Sequence, residues 1–315
     1  MLVPACLAES AAVEGGLESL EVTPAVLTLA GSNSSHQIIV TANARSSTVF
    51  DASDRASLAS NNPRVAVVRA GIVYSVGDGE TQVTATLGDK VAVVKVIVAN
   101  SATSVPAAFH TEVLAALTKA GCNMGACHGS PSGKGGFRLS LRGYDPELDL
   151  LTLRGEFFNR RSNVLDPAES LLLRKPLMEV AHGGGKRLQH GAPTYNVLRS
   201  WIAEGMQIEP EGAPTLLSIE VLPKKRILRN EAQRQQLLVL GHFSDGSIRD
   251  VTPLTAFDSS DEAIASVSAS AVVRKKAGEK HRSGTLSGSY GDRTNLFSDR
   301  SIRFRLAAAG SSYGR

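Results

Sequence analysis

Aromatic side chains are scarce in this chain, at 5%, with a single tryptophan. Val, Ala, Thr, Ser and Gly dominate its flanks instead, which favours several modest β-sandwich cores over one large enzyme core. No apolar run reaches membrane-spanning length. The formal net charge of +4 is too small to argue for nucleic acid or membrane binding over the whole chain. Met1-Leu-Val-Pro-Ala-Cys6 lacks a positive segment and a full apolar core, so it is not a complete signal peptide. Residues 1–16 read as a leader remnant or a disordered start. Val3–Cys6 resembles a lipoprotein cleavage site only weakly. Enzyme signals are missing too. No nucleophile stands beside a base. Gly183–Arg187 lacks the spacing of a P-loop, and Asp145, Glu147 and Asp149 lack that of a calcium loop.

What the chain does have is Cys122-Asn-Met-Gly-Ala-Cys127-His128. Two of its three cysteines and a histidine fall within seven residues. Cys, Cys, His is the order used to attach haem c: two thioethers fix the porphyrin edge, and the histidine reaches the iron. The usual motif has two residues between the cysteines; this one has four. Zinc held by Cys122, Cys127, His128 and His182 is an alternative, since zinc accepts two thiolates and two imidazoles. A Cys122–Cys127 disulfide is another, although its loop would be tight.

Helical signals flank the motif. Val105–Ala120 reads as an amphipathic helix, with Phe109, Val113, Leu114 and Leu117 on one stripe. Asp166-Pro-Ala-Glu169 reads as a helix start in which Asp caps, Pro takes the first position and Glu reaches back. Leu171–Leu173 supply its buried face. A third helix follows Pro193, with Val197, Leu198, Trp201 and Ile202 on one side and Gly205 as stop.

On these residues, 105–206 resembles the planctomycete-type cytochrome c domain. The resemblance runs in order through Cys127-His128-Gly129, Gly135–Leu139, Asp166–Leu172 and Leu198–Gly205. It implies a small all-α domain with covalent haem c on Cys122 and Cys127 and His128 as proximal ligand. Where that family carries a Met-Pro-Pro turn with the distal methionine, this chain has His182-Gly-Gly-Gly-Lys-Arg187. His182 is therefore the expected distal ligand, with Met178 and Met206 as runners-up and Lys186 and Arg187 as candidate propionate partners.

An internal repeat brackets the helical part. Leu17–Pro24 matches Leu216–Pro223, Asp51 matches Asp250, Ser60 matches Ser259, Val65 matches Ile264 and Gly79-Glu80 matches Gly278-Glu279, each pair 199 residues apart. Strand candidates in the first copy are Ile38–Ala42, Val65–Val68, Ile72–Val76, Gln82–Leu87 and Val91–Val98. In the second they are Leu217–Val221, Gln236–His242 and Ala263–Val267. After Gly79-Glu80 the first copy alternates through Val83, Ala85, Leu87, Val91, Val93, Lys95 and Ile97. Ser60–Val67, the turn at 77–80 and Gly241–Asp250 resemble group 2 bacterial Ig-like domains, which implies sandwiches with a spacer or adhesive role. After Gly278-Glu279 the alternation stops. From Arg274 onward ten Lys and Arg stand against three Asp and Glu. This stretch reads as missing or scrambled closing strands, with a basic tail as the functional alternative.

The expected architecture is thus multidomain. An all-β Ig-like sandwich (17–99) precedes the cytochrome c-like domain (105–206). An incomplete second Ig-like sandwich (215–279) and a disordered basic Ser/Gly/Arg-rich tail (280–315) follow. The expected function is an exported haem c electron-transfer module carried between Ig-like spacers, not an enzyme. The alternative is a cell-surface adhesion or scaffolding protein whose central domain is held by zinc or a disulfide. Expected partners are a redox protein and a cell-surface protein or polysaccharide, with no specific nucleic acid and no transmembrane segment. Covalent haem attachment implies the periplasm or cell surface.

Overall fold

The structure is a computed structural model that describes residues 16–46, 48–156, 160–228, 233–259, 261–276, 284–289 and 302–305. The leader region and Cys6 lie outside these residues, as do Gly278-Glu279 and most of the basic tail. The chain divides into two compact units. One holds the described residues up to Val105 with Ser218–Thr252 and those from Phe257 to Phe304; the other holds Pro106–Leu217 with Pro253–Ala256 and Arg305. The molecule is β-rich, with four short α-helices among the described residues. No helix there is long and apolar enough to cross a membrane.

The first repeat has ten strands: β1 (Leu17–Thr23), β2 (Val26–Ala30), β3 (Ser35–Gln37), β4 (Ile39–Ala44), β5 (Val49–Asp51), β6 (Ser57–Ser60), β7 (Ala66–Arg69), β8 (Ile72–Ser75), β9 (Gly79–Leu87) and β10 (Lys90–Ala99). They form sheets ordered β1-β4-β5, β2-β10-β9-β6 and β3-β8-β7. Leu20, Val40 and Ala42 from the first sheet meet Leu29, Val83, Val94 and Val96 from the second in one buried core. The alternation expected for β10 is out of phase by one residue. Val94, Val96 and Val98 point inward, while Val91 and Val93 are exposed. The cause is the two-residue Gly88-Asp89 loop, which sets Leu87 opposite Lys90 and Val83 opposite Val94. An odd position on β9 therefore faces an even one on β10.

Four helices follow: α1 (Leu114–Lys119), α2 (Pro146–Arg154), α3 (Leu171–Leu177) and α4 (Pro193–Ala203). A π turn over Phe109–Val113 leads into α1. The expected helix from Val105 thus begins late, because 105–108 are extended and tied elsewhere. The Ala107 amide donates to Glu204 and the Ala108 amide to Glu112, at 2.8 and 2.9 Å. Phe109, Val113, Leu114 and Leu117 are all buried. They pack with Leu173, Leu198, Trp201 and Ile202 in a single core. Trp201 is fully buried, lies 5.2 Å from Phe109, and donates to the Gln207 carbonyl at 2.7 Å.

The Asp166 cap is corrected. Pro167–Glu169 is a separate 3₁₀ turn, the Asp166 side chain caps nothing, and α3 starts at Leu171. Ser170 breaks the run, with extended backbone and a hydroxyl that accepts from the Asn163 amide. Helix α2 was not expected. Asp145 caps it by accepting from Leu148, and Asp149 is buried on Ser140. Those two acidic residues have structural partners.

The second repeat contributes β11 (Leu216–Leu228), β12 (Arg234–Gln236), β13 (Leu238–Phe243), β14 (Ile248–Asp250), β15 (Ala256–Ser259), β16 (Ala265–Val267), β17 (Val272–Lys275), β18 (Gly284–Ser289) and β19 (Ile302–Arg305). Its sheets β14-β13-β11 and β12-β17-β16 repeat β5-β4-β1 and β3-β8-β7 of the first copy. Both copies carry a cis peptide before the matching prolines, Pro24 and Pro223. The constant offset holds only to the β16–β17 turn, which is one residue longer than its counterpart. Ser35 pairs with Tyr74, while Arg234 pairs with Arg274. Two strands, β18 and β19, fall inside the tail expected to be disordered. Strand β18 runs antiparallel to β11, whereas β10 of the first copy runs parallel to β2. The closing arrangement therefore differs between the copies.

Candidate functional site

The Cys-Cys-His segment leaves α1 through a tight turn. The Cys122 amide donates to Leu117, His128 to Cys122, and Cys127 and Gly129 to Met124. The loop thus folds back on its own start, with His128 bonded to Cys122 across it. Gly129 is required by this fold: a Cβ there would lie 2.1 Å from the Asn123 carbonyl oxygen. Asn123 is fully buried and anchors the turn to α1 through Thr118 at 2.8 Å.

His128 and His182, 54 positions apart in the sequence, lie side by side. Their ring centres are 6.2 Å apart and their planes differ by 20°. Each ring is held the same way. His128 Nδ1 is 3.0 Å from the Phe137 carbonyl, and His182 Nδ1 is 2.8 Å from the Gly185 carbonyl. A carbonyl can only accept, so each Nδ1 carries a proton, and in a neutral ring the lone pair is then on Nε2. Histidines that bind metals are commonly oriented by such a bond. Burial pushes the His128 imidazole below the ordinary histidine value; the Phe137 carbonyl opposes this, and His182 adds to it. A neutral ring is the ligating form.

Cys122 and Cys127 are both free thiols. Burial pushes the Cys122 thiol up to about 12; Cys127 adds to the shift and Arg187 opposes it. At neutral pH Cys122 is therefore protonated, which suppresses thiolate reactivity. No disulfide joins Cys122 and Cys127 in this structure. The zinc alternative needs four converging ligands. Among the described residues no three His, Cys, Asp or Glu side chains converge to hold a metal ion.

A Cβ on Gly184 would meet His182 Cε1 at 2.8 Å, whereas Gly183 and Gly185 face open space. Gly184 makes room for the ring of His182 itself. Arg187, expected on a propionate, bonds the Gly184 carbonyl through Nε at 2.8 Å. Met206 is buried in the helical core, and Met178 is half-exposed in a left-handed conformation at the end of α3.

Sequence reasoning missed Phe137 and Arg161. The Phe137 ring lies 4.5 Å from that of His128, and the Arg161 guanidinium lies 4.6 Å over Phe137. Arg161 also bonds the Gly136 carbonyl at 2.8 Å. The Gly135-Gly136-Phe137 signature was the available signal, but its role here lies in a backbone carbonyl.

No family model matches the chain, and no curated protein matches it. The solved structures it is similar to include domains of the S-layer protein SbsC. Domains 4 and 5 align at 22% identity over 26% of this chain and 51% of theirs, with a TM-score of 0.23. The chain thus spans about half of that structure. Domains 5–6 align at 12% identity over 82% and 84%, with a TM-score of 0.30. The longer SbsC structure, residues 31–844, aligns at 22% identity over 31% and 15%, with a TM-score of 0.26. Likeness this slight carries no argument about function.

Proposed function

We propose that the helical unit is a small all-α, cytochrome c-like module that binds haem c for electron transfer, carried between Ig-like spacer domains. One observation supports this above the others: two near-parallel imidazoles, each with Nδ1 on a carbonyl, 6.2 Å apart. His128 and His182 would hold the iron, and Cys122 and Cys127 would hold the porphyrin edge. Bound haem would supply a one-electron ferric–ferrous couple. Two imidazoles in place of an imidazole and a thioether lower its potential. The polypeptide's part is to hold both rings in place through Nδ1 and to favour the neutral form of His128 by burial. Covalent attachment would place the protein in the periplasm or at the cell surface, with a redox protein as partner.

The test is expression of the full chain in a host that attaches haem c. The denatured protein should carry a haem-stained band that Cys122→Ala with Cys127→Ala abolishes. His182→Ala should turn a low-spin spectrum high-spin and open the ferrous form to carbon monoxide. A colourless wild type with stoichiometric zinc would refute the reading. A spectrum unchanged in His182→Ala but altered in Met178→Ala or Met206→Ala would reassign the distal ligand.

A further inference from the structure

The two repeats share one unit, and they meet through equivalent residues. The Gln37 amide donates to Asp250 Oδ2 at 2.7 Å, and the Gln236 amide donates to Asp51 Oδ2 at 2.7 Å. Gln37 and Gln236 are repeat mates, as are Asp51 and Asp250. Each carboxylate is aimed by the same corner: Asp51 Oδ1 accepts the Ser53 amide and Asp250 Oδ1 the Thr252 amide, both at 2.9 Å. Ser53 and Thr252 in turn accept the amides of Val40 and Val239. Between the two bonds, Ile39 packs with its mate Leu238 and with Leu240. Asp51 is 2% exposed. A reciprocal contact in which i meets j and j meets i is the signature of an isologous interface. Here both halves lie on one chain.

We infer that this face is a docking surface on the first repeat whose occupant is the second repeat, and that the two bind in trans when the chain between them is cut. The recognition is chemical as well as steric. A carboxylate on each copy, that of Asp51 buried and that of Asp250 half-buried, takes a backbone N–H from the other, and an unmatched sandwich would lack that donor. The interface also explains how a second copy with different closing strands stays folded: its β12 edge is covered by β5, and its β14 lies against β3. Nothing in this pairing depends on haem.

The test uses the full chain with a protease site inserted after Gly212, an exposed position. After cleavage, the C-terminal fragment should co-elute with the rest at micromolar concentration. Asp51→Asn and Asp250→Asn keep the corner acceptor but present an NH₂ to the partner amide. Each should weaken association about 10- to 100-fold, the range for a hydrogen bond to a charged group. Hydrogen exchange on the uncut chain separates pairing from local damage. In Asp51→Asn, the amides of Gln236 and Gln37 should both exchange faster, while Val94 in the first core stays protected. Faster exchange at Gln236 alone would overturn the inference. So would wild-type fragments that separate on cleavage, or a double variant that holds as tightly as wild type.

Discussion

Glycine substitutions around the two histidines separate packing from ligand placement. In Gly129→Ala the new methyl would sit 2.1 Å from the Asn123 oxygen, 2.6 Å from its carbonyl carbon and 3.0 Å from the Met124 oxygen. All three are backbone atoms, so no side chain can swing away. The turn must open, and the amide bonds from His128 to Cys122 and from Gly129 to Met124 go with it. Overpacking typically costs 1–3 kcal/mol and each lost bond about 1 kcal/mol, so the expected loss is roughly 3 kcal/mol. Gly183→Ala meets nothing within 4 Å and should fall within about 0.5 kcal/mol of wild type. Gly184→Ala touches only the tip of His182, which can rotate. It should cost little stability yet displace the ring. Trp201 is the sole tryptophan and is buried in the same core, so urea unfolding followed by its fluorescence reports the unit directly. With a slope of 1–3 kcal/mol per molar urea, Gly129→Ala should lower the midpoint by about 1–3 M. A Gly129→Ala midpoint equal to that of Gly183→Ala would refute the account of the turn.

The sequence carried the apolar parts of the fold well, because burial leaves a periodic trace. Phe109, Val113, Leu114 and Leu117 share one stripe and are all buried, and Leu198, Trp201 and Ile202 face them. The repeat offset was readable down to Asp51 and Asp250, although its purpose was not. A carboxylate that accepts a distant backbone amide leaves no pattern in its neighbours. Strands as short as β3 and β5 were invisible, since three residues cannot display a period. The phase of β10 was misjudged because it depends on the length of one hairpin loop. At the Asp166 turn, three helix-start signals agreed and still lost to Ser170, whose hydroxyl holds the Asn163 amide. In the site, ordering against a family pattern singled out His182. The carbonyls of Phe137 and Gly185, which fix both rings, are backbone groups that every residue possesses.

Two further outcomes concern the frame around the site. Trp201→Phe keeps the aromatic stack on Phe109 but leaves the Gln207 carbonyl without its donor. It should cost about 1–3 kcal/mol by calorimetry, and a shift below 0.5 kcal/mol would show that water replaces the bond. Asp149 tests charge against hydrogen bonding. Its carboxylate is fully buried, with one oxygen accepting the Ser140 amide and the other the Ser140 hydroxyl. Burial raises its pKa; the Ser140 bonds oppose this, and Asp145 adds a smaller push upward. A raised folded value means that the native state holds its proton more tightly than the unfolded chain. That stability is fully present below the unfolded value of about 3.9 and is lost as pH rises through the folded one. Asn is neutral throughout and keeps an acceptor for the Ser140 amide; its NH₂ can donate to the hydroxyl oxygen. Asp149→Asn should therefore match or exceed wild type at pH 7, and the pH-dependent loss just above 3.9 should vanish. Asp149→Ala removes both acceptors and should cost about 1–3 kcal/mol at any pH. Urea midpoints at pH 4 and pH 7 for the three proteins decide it. If Asn were as damaging as Ala at pH 7, the negative charge itself would be what the site requires, and burial would not be the dominant force on that carboxyl.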